Sequence, residues 1–229
     1  MKDWTVGHVM TKPAVSATET DSYRQVVTLL MEHHVSAVPV VDAFARVSGV
    51  VSEADLLRKI EYVGDGNSRL LEGRRRRQHR AKATARTAGD LMSTPAVVVG
   101  QHMTIPEAAR IMEHDGVKRL PVVDDLGRLV GIVSRSDLLK VHLRPDDEIL
   151  RDIETNVLRP FLADDAATIS VTVLDGVVTL TGRVDRWSAA DLVARLIRQL
   201  PGAVEVVSAV EFGFDDRELM PAGSRFGAS

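Results

Sequence analysis

Two stretches of this 229-residue chain repeat one another at a fixed distance. Val38-Pro39-Val40-Val41-Asp42, followed by Gly49-Val50-Val51-Ser52-Glu53-Ala54-Asp55-Leu56-Leu57, returns as Leu120-Pro121-Val122-Val123-Asp124 and Gly131-Ile132-Val133-Ser134-Arg135-Ser136-Asp137-Leu138-Leu139. The offset is 82 throughout (121 minus 39, 131 minus 49, 137 minus 55). An ungapped echo of this length marks a duplicated fold unit. It reaches back to the lead-in, where Val9-Met10-Thr11-Lys12-Pro13-Ala14-Val15 matches Leu91-Met92-Ser93-Thr94-Pro95-Ala96-Val97.

Each copy reads the same way. Ala37-Val38-Pro39-Val40-Val41 is short, apolar and β-branched, as a buried strand is. Pro39 has no N–H to give a ladder, which places it at a strand start or an edge. Asp42 to Ser48 is a polar turn and Gly49-Val50-Val51 the returning strand. Ser52-x-x-Asp55 then stands at a helix N-terminus, where a hydroxyl, a carboxylate and unpaired backbone N–H groups meet. Such a corner caps its own helix, and it also suits a ligand rich in hydroxyls and phosphates. Ahead of the hairpins, amphipathic helices are expected over Asp21 to His33, opened by Ser22-x-x-Gln25, and after Thr104-x-x-Glu107, ended by Gly116.

Two copies of Gly-hydrophobic-hydrophobic-Ser-x-x-Asp, each in this strand and helix context, resemble a tandem pair of CBS domains, the Bateman module. The resemblance implies an α+β fold of two β-α-β-β-α units packed as a pseudo-symmetric pair, with residues 1–63 and 87–143 as the repeats. It also implies regulatory binding of an adenosyl nucleotide (AMP, ADP, ATP or S-adenosylmethionine) between them, in a flat homodimer. Carried over by position, Ser52, Asp55, Val38 and Pro39 serve one site, and Ser134, Asp137, Leu120 and Pro121 the other. The hydroxyl meets phosphate, the carboxylate meets ribose, and backbone near the proline reads adenine.

The copies differ in charge. Lys118-Arg119 stands where the first copy has Ser36-Ala37, and Arg135 where it has Glu53. Guanidinium groups suit phosphate and can engage it through two N–H groups. Arg119 and Arg135 are therefore the candidate phosphate partners, in the second cleft.

The chain carries a net charge of −3 and no cysteine, which excludes disulfides, thiolate chemistry and cysteine-type zinc sites. Its start lacks the apolar core of a secretory signal, and no apolar run nears the roughly 20 residues that span a bilayer. A cytoplasmic protein is expected. Between the repeats, a linker over 64–86 carries Arg74-Arg75-Arg76-Arg77-Gln78-His79-Arg80, which could contact nucleic acid or anionic lipid but lacks aromatics for base stacking. His33-His34 gives no metal site, because adjacent residues diverge by about 100° on a helix.

After Arg144-Pro145 the pattern changes. A helix from Asp147 to Leu158 precedes alternating Ile169, Val171 and Val173, and Asp175-Gly176 is a two-residue hairpin signal. Val177 to Thr181 returns and is closed by Gly182; Ser188 to Leu200 is helical, and Val204 to Phe212 is a last strand. This helix–hairpin–helix–strand order, with Asp-Gly-Val-Val-Thr-Leu-Thr-Gly and Leu-Pro-Gly-Ala-Val-Glu-Val-Val, resembles a BON domain over 147–212. That family implies surface or phospholipid attachment. Here Asp and Glu outnumber Arg, and Lys is absent from residue 146 onward, so an anionic membrane would repel it. Residues 213–229 are expected to form a disordered tail.

No catalytic constellation emerges. The seven histidines are scattered, the Ser-x-x-Asp pairs have no adjacent base, and there is no glycine-rich phosphate loop or metal motif. The chain reads as a regulatory binding protein and not an enzyme, with an unidentified protein target. The alternative is a ligand-free attachment protein that contacts polyanions through the basic linker or the BON-like end.

Overall fold

A computed structural model describes residues 4–61, 85–162 and 168–217. The expected tract Arg74 to Arg77 lies outside them. By its contacts the chain forms two compact units, one over Thr5–Leu138 and one made by Met1–Trp4 with Leu139–Ser229.

In the first unit each repeat builds the same elements. Copy one contains α1 (Val6–Val9), β1 (Ala17–Thr18), α2 (Tyr23–Glu32), β2 (Ala37–Val41), β3 (Val47–Ser52) and α3 (Glu53–Glu61). Copy two contains α4 (Ala88–Leu91), β4 (Val99–Gly100), α5 (Ile105–His114), β5 (Arg119–Val123), β6 (Leu129–Ser134) and α6 (Arg135–Leu139). Each makes a three-stranded sheet with its β2-type strand central, parallel to the first strand and antiparallel to the third. The two capping boxes form as the sequence requires: Ser22 and Gln25 start α2, and Thr104 and Glu107 start α5.

The lead-ins exchange partners. Thr11 bridges to Ile132 of the second copy, while Ser93 bridges to Val50 of the first, each through two backbone hydrogen bonds of 2.9–3.2 Å. The Val6 and Gly7 amides donate to the Met103 and Gln101 carbonyls, and those of Ala88 and Gly89 to Asp21 and Glu19. Leu91 and Ala88, from the second copy's lead-in, are fully buried in one core with Val26, Leu30, Val38 and Val51 of the first. Ala85 joins that core, and the Arg86 carbonyl accepts the Tyr23 amide at 2.8 Å. These contacts reach two residues ahead of the expected repeat start at residue 87.

Asp42 and Asp124 close the two strand turns alike. One oxygen of Asp42 accepts the Phe44 and Arg46 amides and the other the Arg46 guanidinium; Asp124 does the same with Leu126 and Arg128. These donors, led by the Arg46 amide at Asp42 and the Arg128 side chain at Asp124, hold both carboxyls below their usual range.

The second unit contains α7 (Asp146–Ile153), a wider turn over Glu154–Leu158, α8 (Arg159–Leu162), β7 (Ile169–Leu174), β8 (Val177–Arg186), α9 (Trp187–Arg198) and β9 (Glu205–Phe214). The sheet order is β7-β8-β9, with β9 parallel to β8. Ile149, Ile153, Val157, Val178, Leu180 and Ile197 form its core. Asp175 and Gly176, at φ 50° and 75°, make the two-residue turn, and the Asp146 carboxylate receives both turn amides. Arg144, with 5% of its side chain exposed, donates to the Pro201 carbonyl and to Asp152, each at 2.6 Å, and lies against the Trp4 ring.

Three sequence expectations change. Gly182 does not close β8, which runs on to Arg186; the glycine, at φ 119°, leaves room for the Thr168 carbonyl, which would stand 2.0 Å from a Cβ. The first helix does not stop at Leu158 but continues through the wider turn to Leu162. The last strand does not end at Phe212: β9 reaches Phe214, and Asp216, 6% exposed, accepts the Ser188 amide and hydroxyl, while residues 218–229 of the expected tail lie outside the described residues.

Candidate nucleotide cleft

At the end of β3 the chain turns into α3 with Ser52 as the last strand residue. The Asp55 carboxylate reaches back to the Ser52 amide at 3.0 Å and its hydroxyl at 2.7 Å. At the end of β6, Asp137 does the same with Ser134, at 2.9 and 2.6 Å. Both carboxylates are buried, Asp55 at 5% exposure and Asp137 at 9%. Each corner is thus a satisfied cap as it stands. A buried carboxylate needs such partners, since unpaired it would be strongly destabilising.

The two corners are finished differently. The second oxygen of Asp55 accepts Arg58, one helical turn later, at 3.3 Å. The Ser134 hydroxyl also meets that of Ser136 at 2.9 Å, a contact Ala54 lacks. The helix α3 is α-helical over Glu53–Glu61, whereas α6 tightens after Leu139 into a 3-10 turn over Lys140–Leu143.

The Ser52–Asp55 corner opens on a cleft of about 380 Å³, within the range of small-ligand sites. Its walls come from both copies: Ser36, Ser52, Glu53 and Asp55 from the first, the Ser93–Val97 segment and Lys118 and Arg119 from the second. Arg119 is also the ladder partner of Ser134 on the neighbouring strand, and the Arg135 amide donates to the Lys118 carbonyl at 3.2 Å. Of the two cations expected in the second cleft, Arg119 therefore lines the one that holds Ser52 and Asp55, with Lys118 beside it. Arg135 instead has its guanidinium 3.8 Å from Glu113, on open surface.

Val38 and Leu120 are fully buried, and Pro39 and Pro121 are buried with them on the central strands. Their side chains are core, so contact with a ligand would run through backbone. Sequence reasoning missed two participants. Arg58 was visible as an i+3 neighbour of Asp55, but the capping pattern gave it no role. The Ser93–Val97 segment enters because the lead-ins are exchanged. Among the described residues no group of His, Asp and Glu could hold a metal ion, and no helix is long and apolar enough to cross a membrane.

Residues 6–62 and 88–144 match the CBS domain family, and residues 146–213 match the BON domain family. An uncharacterized protein of Methanopyrus kandleri is 28% identical over 142 residues, 62% of this chain and 64% of its own length. The chloroplastic CBS domain-containing protein CBSX1 of Arabidopsis thaliana is 32% identical over 155 residues, 62% of this chain and 65% of its own length. The chain thus spans just under two thirds of these two relatives. The crystal structure of CBSX2 in complex with AMP, also from Arabidopsis thaliana, is 32% identical with a TM-score of 0.54, over 61% of this chain and 97% of that one. The likeness falls on the repeats whose strand turns, corners and exchanged lead-ins are described above, and the chain belongs to the CBS-domain proteins, as a tandem CBS pair followed by a BON domain.

Proposed function

We propose that this protein is a regulatory sensor that binds an adenosyl ligand between its CBS repeats and is not an enzyme. The observation that carries the reading is the Ser52–Asp55 corner opening on a cleft walled by both copies. A ribose hydroxyl can donate to Asp55, phosphate can meet the amides and hydroxyl at the start of α3, and backbone beside Val38 and Pro39 can read adenine. The AMP complex of CBSX2 supports this ligand class. Ser134 and Asp137, beside Leu120 and Pro121, form the equivalent corner of the second copy.

A ligand touching both copies binds one arrangement of them better than another, and only that difference shifts their equilibrium. The BON domain relays or anchors the change. The chain works as a homodimer in the cytoplasm and acts on a further protein. Met31, Leu57 and Ile60, at 59–68% exposure beside Tyr23 and Val27, form an open apolar groove that supports pairing with a second copy.

Calorimetric titration with AMP, ADP, ATP and S-adenosylmethionine tests the ligand assignment, with Asp55→Ala and Asp137→Ala in parallel. At least one ligand should bind, and at least one variant should lose affinity. Heat with none, or unaltered affinity in both variants, defeats it.

A further inference from the structure

The segment from Trp4 to Thr18 is held by three parts of the fold in turn. Its far end, Ala17–Thr18, pairs with Val40 and Val41 in the sheet of copy one. Its middle is seated on copy two: Thr5 bridges to Thr104 and Thr11 to Ile132, the Val6 and Gly7 amides donate to the Met103 and Gln101 carbonyls, and Met10 lies against Gly131. Its first residue, Trp4, belongs to the unit that holds the BON domain, where the Arg144 guanidinium lies over its ring, 5.4 Å from the centroid. The matching segment of copy two stays with the repeats. Thr87 bridges to Ser22 and Ser93 to Val50, Val99–Gly100 pairs in the second sheet, and at the position equivalent to Trp4 the Arg86 carbonyl accepts the Tyr23 amide.

The Trp4 contact is finely balanced. Arg144, 5% exposed, is fixed by bonds of 2.6 Å to the Pro201 carbonyl and to Asp152, which presents its guanidinium to the ring in one orientation. Its Nε is buried without a hydrogen bond, the Glu148 carboxylate standing 3.9 Å away. Attraction between cation and ring favours the closed contact, while the orphaned N–H favours opening to water, and the two effects are of similar size. A small push therefore decides between them.

That push comes from the repeats. Any shift of copy one against copy two is taken up by a segment bonded to both. Its hold on the repeats consists of strand pairs and bridges, whereas at Trp4 it is a ring–guanidinium contact on a partly exposed side chain. We propose that Trp4 and Arg144 form a releasable clasp, through which the segment Trp4–Thr18 passes a rearrangement of the CBS repeats to the BON domain. Both are positioning residues and neither contacts the ligand. This rests on the sensor reading above and names the route by which the ligand's effect reaches the BON domain.

The chain has two tryptophans, so Trp187→Phe leaves Trp4 as the only one. The test follows Trp4 emission and acrylamide quenching in full-length Trp187→Phe as AMP, ADP, ATP or S-adenosylmethionine is added, with calorimetry reporting binding. A ligand that binds should change both signals. With Arg144→Gln added, emission should begin red-shifted and both signals should stay flat, at unaltered ligand affinity. Because Arg144 is buried, Trp4→Ala supplies a second variant that spares the BON core. Its readout is hydrogen exchange of the Ala203 and Val204 amides, which donate to Leu200 and Gly176 in the turn that holds Arg144. Ligand should alter their exchange in wild type and not in Trp4→Ala. Binding that leaves Trp4 emission or the wild-type amides unchanged, or a response that survives Arg144→Gln or Trp4→Ala, overturns the clasp while the sensor reading stands. Heat with none of the four ligands removes the sensor reading and the clasp with it.

Discussion

Gly49 lies so close to Met92 that a Cβ there would stand 2.6 Å from the sulfur and 2.9 Å from the Met92 Cβ. The pseudo-symmetric contact has Gly131 against Met10, with the sulfur at 2.7 Å and the Thr11 carbonyl at 3.0 Å. Each methionine belongs to one copy's lead-in and each glycine to the other copy's strand. The two contacts interlock the repeats where Thr11 meets Ile132 and Ser93 meets Val50.

Gly49→Ala should therefore destabilise the CBS pair by about 1–3 kcal/mol, the usual cost of overpacking. Rotation of the Met92 thioether does not clear the clash, because its Cβ is itself too near. Urea unfolding read by circular dichroism measures the change, and Met92→Ala in the Gly49→Ala background should recover part of it. A neutral Gly49→Ala would mean that the repeats have slack at this contact.

The elements legible in the sequence are those fixed by near neighbours. Ser22 with Gln25, Thr104 with Glu107, and Asp175 with Gly176 each need only a few residues to define a cap or a turn, and all three form where the pattern puts them. Apolar periodicity shows that Leu91 and Val9 face a core, but not which copy's core. The exchange of lead-ins, and with it the wall Ser93–Val97 of the cleft, was hidden for that reason. Gly182 misled in the opposite way. A glycine ending a run of alternating residues resembles a strand end, yet the space it leaves is taken by the Thr168 carbonyl, while β8 pairs on to Arg186 against Phe214. Ser52 and Asp55 were legible as a corner from spacing alone. That Lys118 and Arg119 share their cleft depends on tertiary packing, which no spacing encodes.

Ala45 and Gly127 occupy equivalent turn positions, at φ 60° and 76°. An alanine in this left-handed region carries a penalty of about 1–2 kcal/mol that glycine escapes, offset in part by the greater freedom of glycine in the unfolded chain. Ala45→Gly should thus stabilise the protein by about 0.5–1 kcal/mol, and Gly127→Ala should destabilise it by a similar amount. Opposite shifts of the chemical unfolding midpoint, with the slope unchanged, would show both. A destabilising Ala45→Gly would mean that the Asp42 hydrogen bonds already hold the turn without backbone strain.

Asp216 ties the end of the BON domain to the start of α9. The Ser188 hydroxyl donates to its carboxylate at 2.5 Å and the Ser188 amide at 2.9 Å, while Arg217 lies over the Trp187 ring at 5.3 Å. The hydroxyl contributes most, and the carboxyl is held below its ordinary value. A carboxyl depressed in the folded state stabilises that state when charged. The stabilisation is complete at neutral pH and is lost as pH falls below the ordinary value, about 3.9, through the depressed one. Hydrogen exchange of the Ser188 amide should therefore show protection that is steady above about pH 5 and declines on acidification through that window. Asp216→Asn should lower the neutral-pH protection and flatten its acid dependence, because the amide side chain keeps an acceptor but has no proton to take up. If wild type and Asp216→Asn lose protection in parallel, the acid sensitivity lies elsewhere, and Asp216 is only a packing contact.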